Sequence, residues 1–187
     1  MRITLGSWFF LLALILLCPS ASHAVEKETL LAPMPEGFAI GFQGKKNNLT
    51  MVEMVPSGET VEAWSRMVTV QIFHALKKQN ADTFAENMGK MWSNACPGSA
   101  VEKVKDGADN GFPYSLWQYL CPLNKSTQKP ENVWIKVISG DDALYTVQYA
   151  YRQGMTDMLV PPAMKFLDSV KACDTRREER PCPAVKQ

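Results

Sequence analysis

An excess of charge of either sign is missing from this sequence: 20 lysines and arginines face 19 aspartates and glutamates across 187 residues. There is no basic surplus to neutralise a phosphate backbone, which argues against a nucleic-acid partner, and no acidic surplus to imitate one. Histidine is scarce, with two in the chain. The phosphate-binding signatures G-x-G-x-x-G and G-x-x-x-x-G-K-[ST] are absent, as is the βαβαβ alternation of a doubly wound nucleotide-binding sheet. No repeat of fixed period occurs, and no recognised catalytic or cofactor motif, so no cofactor and no metal are expected. What remains is 46% hydrophobic, 10% aromatic and 21% charged, the composition of one ordinary folded domain.

The long apolar run is confined to the N-terminus. Arg2 supplies one positive charge, Trp8 to Leu17 is unbroken in apolar character, Pro19 interrupts it, and Ser22-His23-Ala24 places small residues at the −3 and −1 positions of a cleavage site. This is the layout of a secretory signal peptide. The run falls well short of the roughly 20 residues a helix needs to span a bilayer, and Leu16-Leu17 before Cys18 lack the small residue that precedes a lipidated cysteine. The expected organisation is a signal peptide over 1–24, a lead-in segment over 25–35 and a single domain over 36–187. The periplasm is the expected compartment, with secretion as the alternative, and no stable membrane insertion is expected after cleavage.

Four cysteines follow the leader: Cys96, Cys121, Cys173 and Cys182. An even count in an exported chain indicates two disulfides. Of the three pairings, Cys96–Cys121 and Cys173–Cys182 are expected, because each closes a local loop. No C-x₂-C pair exists, and His74 is the only histidine after the leader, so zinc is disfavoured.

Along the domain, Phe38, Ile40 and Phe42 recur with period two. Leu49, Met51, Glu53 and Val55 do likewise, predicting a hairpin across Lys45 to Asn48. Thr60 to Ser65 could make a helical turn. Met67 to Phe73 is β-branched enough for a third strand. Phe84, Met88, Met91 and Trp92 form a helical stripe behind an Asn80 or Asp82 cap. Asn110-Gly111 predicts a tight turn between Ala100–Lys105 and Phe112–Leu120. After a polar loop over Lys125 to Glu131, Val133 to Ser139 and Leu144 to Tyr151 make a third hairpin, and Pro161-Pro162 opens a last helix over Ala163 to Cys173. The expected class is α+β: an antiparallel sheet of six to seven strands with two main helices on one face.

The stretch Pro35-Glu-Gly-Phe-Ala-Ile-Gly-Phe42, followed by Glu53-Met-Val-Pro-Ser-Gly-Glu59, Trp64 and Met67-Val-Thr-Val-Gln71, resembles small exported bacterial proteins of unknown function. More broadly, the early proline-glycine-aromatic strand, the element order and the length resemble the PsbP/Mog1-like fold. That resemblance implies a binding or assembly factor without catalytic residues.

Candidate chemistry is sparse. His74 has no nucleophile partner by motif. Glu59 with Glu62, and Asp141 with Asp142, are the carboxylate pairs that could divide acid and base roles in a small periplasmic hydrolase. Asp106 to Gly111 lacks the calcium-loop spacing. The tryptophans and tyrosines could line a groove but more often fill a core. The favoured reading is a non-catalytic protein that engages another envelope protein or a cell-envelope component. Glu59, Trp64 and Arg66, in the turn before the third strand, are the candidate contact residues, with Trp64 either plugging the sheet edge or meeting the partner.

Overall fold

The computed structural model describes residues 27–183; the expected signal peptide and its cleavage point after Ala24 lie outside them. The elements in chain order are β1 (Glu28–Leu31), β2 (Phe38–Lys46), β3 (Leu49–Pro56), β4 (Arg66–Phe73), α1 (Ala81–Ala95), β5 (Ala100–Asp109), β6 (Phe112–Asn124), β7 (Lys129–Ser139), β8 (Leu144–Tyr151), α2 (Val160–Ser169) and β9 (Lys171–Asp174). Seven strands form one sheet in the order β2-β3-β4-β8-β7-β6-β5, and every neighbouring pair is antiparallel.

The turns follow from backbone preference. Asn110 and Gly111 both take positive φ, 49° and 75°, as a two-residue hairpin loop requires. Asn47 at 53° does the same between β2 and β3. Asn80 caps α1 by accepting a hydrogen bond from the Thr83 N–H at 2.8 Å, which satisfies one of the free donors at a helix start.

The α+β class and the seven-stranded antiparallel sheet agree with the sequence reading; the placement of the helices does not. On one face, α2 contributes Ala163, Phe166 and Leu167 to a core with Val68, Val70, Trp134, Ile138, Val147 and Tyr149. On the other, α1 contributes Ala81 and Ala85 to a core with Val133, Ile135, Val137, Leu144 and Tyr119. The physical reason is visible in β7. Successive strand residues point to opposite faces, and Val133 to Ile138 is buried throughout, so both faces must be covered.

Other elements also shift. The last helix ends at Ser169, and Cys173 lies in β9, which pairs with β1. The lead-in segment therefore already holds a strand. Thr60 to Ser65 forms bends, not a helical turn. In α1 the sheet-facing positions are the small Ala81, Ala85 and Gly89. A Cβ on Gly89 would come within 2.4 Å of the Val101 side chain, so the helix packs too close for a larger residue, while Met91 is 71% exposed. Phe84, Met88 and Trp92 flank this seam, half buried.

Among the described residues three charged side chains are buried, Glu28, Lys136 and Asp174, and Lys136 is the one cation of the three. Lys136 on β7 is 2% exposed. Its ammonium bonds the Asp109 carboxylate and donates to the Leu167 and Val170 carbonyls at 3.2 and 2.9 Å. It thus serves the carbonyls left free where α2 ends, with the Tyr114 ring 4.6 Å away.

The two disulfides join Cys96 to Cys121 and Cys173 to Cys182, the pairing expected. The first ties the end of α1 to β6 across 25 residues, the second closes 9. On a chain-entropy basis, replacing both Cys96 and Cys121 by Ala should lower stability by about 3.5 kcal/mol, and the Cys173/Cys182 pair by about 2.5. Denaturant unfolding of the two double variants checks both the size and the order.

Candidate binding cleft

The segment between β3 and β4 is held by its own side chains. Glu59 accepts hydrogen bonds from the Ser65 N–H at 2.6 Å and the Ser65 hydroxyl at 2.7 Å. These bonds, the hydroxyl first, hold its carboxyl below the usual carboxylate range. Thr60 and Ala63 exchange backbone hydrogen bonds inside the loop. Trp64 is 7% exposed and packs into the α1-side core with Val55, Val61 and Met67. Its outer face is covered by the Arg152 guanidinium, 4.0 Å from a ring centroid, and Arg152 in turn donates to the Glu62 carbonyl at 3.0 Å.

Arg66 separates from this group. It opens β4 one residue before Met67, so its side chain belongs to the opposite face, where the guanidinium lies 5.2 Å from the Phe38 ring centroid. There it borders a cleft of about 370 Å³ between the start of β2, β4, β8 and α2, lined by Glu36, Phe38, Arg66, Tyr149, Lys165 and Phe166 among others. The floor is aromatic, with Phe38 and Tyr149 centroids 6.3 Å apart and Tyr149 and Phe166 5.5 Å apart. The rim carries two cations and one anion, Arg66, Lys165 and Glu36, and among the described residues neither Arg66 nor Lys165 has an ion-pair partner. Two cations without an ion-pair partner suit an anionic group, while the floor rings Phe38, Tyr149 and Phe166, 7%, 4% and 8% exposed, already belong to the core and leave only their edges open to apolar contact.

The remaining sequence candidates lie elsewhere. His74 Nε2 sits 2.9 Å from the Thr50 hydroxyl, on an exposed part of the surface. Glu62 is held low by the Thr60 hydroxyl, as Glu59 is by Ser65, so both carboxylates shift in the same direction. Asp141 and Asp142 are bound to the C-terminal segment through Arg180 at 2.8 Å and Arg176 at 2.7 Å. Their backbone N–H groups donate to the buried Glu28 carboxylate. Asp174 in the same network is held at about 2, chiefly by its hydrogen bonds from Arg176. In the Asp106 to Gly111 run, Asp106 bonds Lys103 and Asp109 bonds Lys136. Of the aromatic set, Trp134, Tyr119, Tyr145, Tyr149 and Tyr151 are buried; Tyr149 alone of these lines the cleft.

Sequence reasoning named Arg66 but not Lys165, Phe38, Tyr149 or Phe166 as its neighbours. They come from three other elements, and no local pattern links them. No described helix is long and apolar enough to cross a membrane.

No protein-family model and no curated protein matches the chain. Among solved structures, the cyanobacterial PsbP (CyanoP) of Synechocystis is similar at 12% identity and a TM-score of 0.50, over 83% of this chain and 98% of that one. The Ran-binding protein Mog1p of Saccharomyces cerevisiae is similar at 13% identity and 0.43, over 75% and 83%. LpqN of Mycobacterium tuberculosis, described as involved in cell envelope biogenesis, is similar at 9% and 0.40, over 81% and 86%. At these identities the likeness concerns architecture, and with CyanoP matched over almost its whole length, this chain has a PsbP/Mog1-like fold.

Proposed function

We propose that this chain is an exported, non-catalytic binding or assembly protein of the cell envelope, periplasmic in location, which holds a protein partner through the cleft at Arg66 and Lys165. The observation that carries the reading is two cations without an ion-pair partner, Arg66 and Lys165, at the rim of one cleft over aromatic rings, with Glu36 beside them. Two disulfides and the leader-like N-terminus support export. The matching segment of the partner carries a carboxylate beside an aliphatic or aromatic side chain. Within the loop expected to make the contact, Arg66 meets the partner, while Glu59 and Trp64 fix the backbone that presents it.

Capture from envelope extract by the exported, disulfide-bonded protein tests this. Arg66→Glu with Lys165→Glu should reduce recovery of the specific partner at least about tenfold, since two attractions become repulsions. Stability should fall by no more than about 1 kcal/mol, the scale of the exposed contact between Arg66 and the Phe38 ring that is lost. Lys90→Glu on α1, on the opposite face, is the control and should leave capture intact. Equal recovery by the double variant and the parent would refute the assignment.

A further inference from the structure

Glu36 lines the same cleft as Arg66 and Lys165, and a turn fixes it there. The Phe38 N–H donates to the Pro35 carbonyl at 3.1 Å. Gly37 takes a φ of 75°, a positive value that suits glycine at the third position of a tight turn. Ser57, just past β3, donates its N–H to the Gly37 carbonyl at 2.8 Å and pins the turn to the neighbouring strand. The two cations stand on rigid elements as well. Arg66 opens β4 and lies over the Phe38 ring at 5.2 Å. Lys165 is on α2, one residue before Phe166, whose ring docks on Tyr149. Pro35 and Pro162 add stiff walls.

Opposite charges on one small cleft would ordinarily close on each other. Among the described residues these three do not: none of them is ion-paired, with one another or with any other group. The cleft therefore offers two positive positions and one negative position, held apart by the turn, β4 and α2 around about 370 Å³. That is room for a short stretch of chain. A bound carboxylate answers the cations but leaves Glu36 without a partner, and a second acid would meet Glu36 as a like charge. A stretch that carries both signs satisfies all three groups.

We infer that the cleft selects a zwitterionic stretch of its protein partner, in which an Asp or Glu carboxylate meets Arg66 and Lys165 and a neighbouring Lys or Arg meets Glu36. This rests on the assignment of the cleft as the binding site and adds the sign pattern that the site reads. Glu36 is the repulsive element that rejects an all-acidic segment, which the two cations alone would accept.

NMR titration of the exported, disulfide-bonded protein with three blocked tripeptides tests the sign pattern. The probes differ only in charge: acetyl-Glu-Leu-Lys-amide, acetyl-Glu-Leu-Glu-amide and acetyl-Lys-Leu-Lys-amide. The parent should bind the mixed peptide at least about threefold more tightly than either of the others, the scale of an exposed ion pair gained in place of a like-charge contact. The amides of Phe38, Arg66 and Lys165 should shift on binding. Glu36→Lys changes an exposed side chain and should invert the preference, so that the all-acidic peptide binds at least about threefold more tightly than the mixed one. A parent that binds the all-acidic peptide as tightly as the mixed one, or a Glu36→Lys variant that keeps the parent's preference, would overturn the sign pattern and leave the cleft assignment standing. Shifts confined to residues away from the cleft, or none with any of the three peptides, would overturn the assignment of the cleft and the sign pattern with it.

Discussion

Replacing Asp109 by Asn should lower stability by about 3–5 kcal/mol, the usual cost of removing one partner from a buried ion pair. Lys136 has nowhere to carry its charge into water, and its two carbonyl acceptors do not neutralise it. The loss should also depend on pH. Burial pushes the Lys136 ammonium below its ordinary value, and the Asp109 carboxylate is the largest influence opposing that shift. Without it, the folded-state value falls further, while unfolded lysine keeps its proton to about pH 10.4. Between those two values the unfolded chain binds more protons than the folded one, so stability rises with pH there. The penalty of Asp109→Asn should therefore be greatest at neutral pH and shrink in the alkaline range. Adding Lys136→Met should recover part of it, because the stranded charge is gone, though the Leu167 and Val170 carbonyls then lose their donor. Urea unfolding at neutral and alkaline pH measures all three variants; a penalty that grew with pH would contradict the buried pair.

Trp64→Ala should cost a similar amount, about 3–5 kcal/mol. The indole is part of the α1-side core with Val55 and Met67, and its loss leaves a cavity there and Arg152 without a ring to cover. Partner capture per folded molecule should persist, since the cleft lies on the other face of the sheet. A variant of unchanged stability would mean that Trp64 does not plug the core. A variant that folds but no longer captures its partner would move the contact back to the loop.

What could be read from the sequence was local. Period-two alternation over Val68, Val70 and Ile72 marks a strand that keeps one pattern on each face, whereas the Phe38, Ile40, Phe42 series finds a strand but not a face, because a bulge between Ile40 and Phe42 sets them opposite adjacent residues of β3. Asn110-Gly111 marks its turn through backbone preference alone. The disulfide pairing was legible because both loops are short. The placement of the helices was not. The run Val133 to Ile138 is what a strand covered on both sides looks like, but Lys136 within it reads as a solvent-facing position until its salt bridge and carbonyl partners are seen. β9 was hidden because its four residues pair with β1 at the far end of the chain, and its hydrogen bonds leave no periodicity behind. The cleft follows the same rule. Arg66 stands out in its loop, whereas Lys165 acquires meaning only when Phe166 docks on Tyr149 and brings the two cations to one rim.

The most direct test of the cleft is site-specific photo-crosslinking in the native host, with the photoreactive residue at position 165 of the full chain and, as a control, at position 90 on the opposite face. The account predicts one discrete adduct with an envelope protein from position 165, none with that protein from position 90, and loss of the adduct when Arg66 is changed to Glu. Adducts of equal yield from both positions, or an adduct at 165 that survives the Arg66 charge reversal, would contradict it.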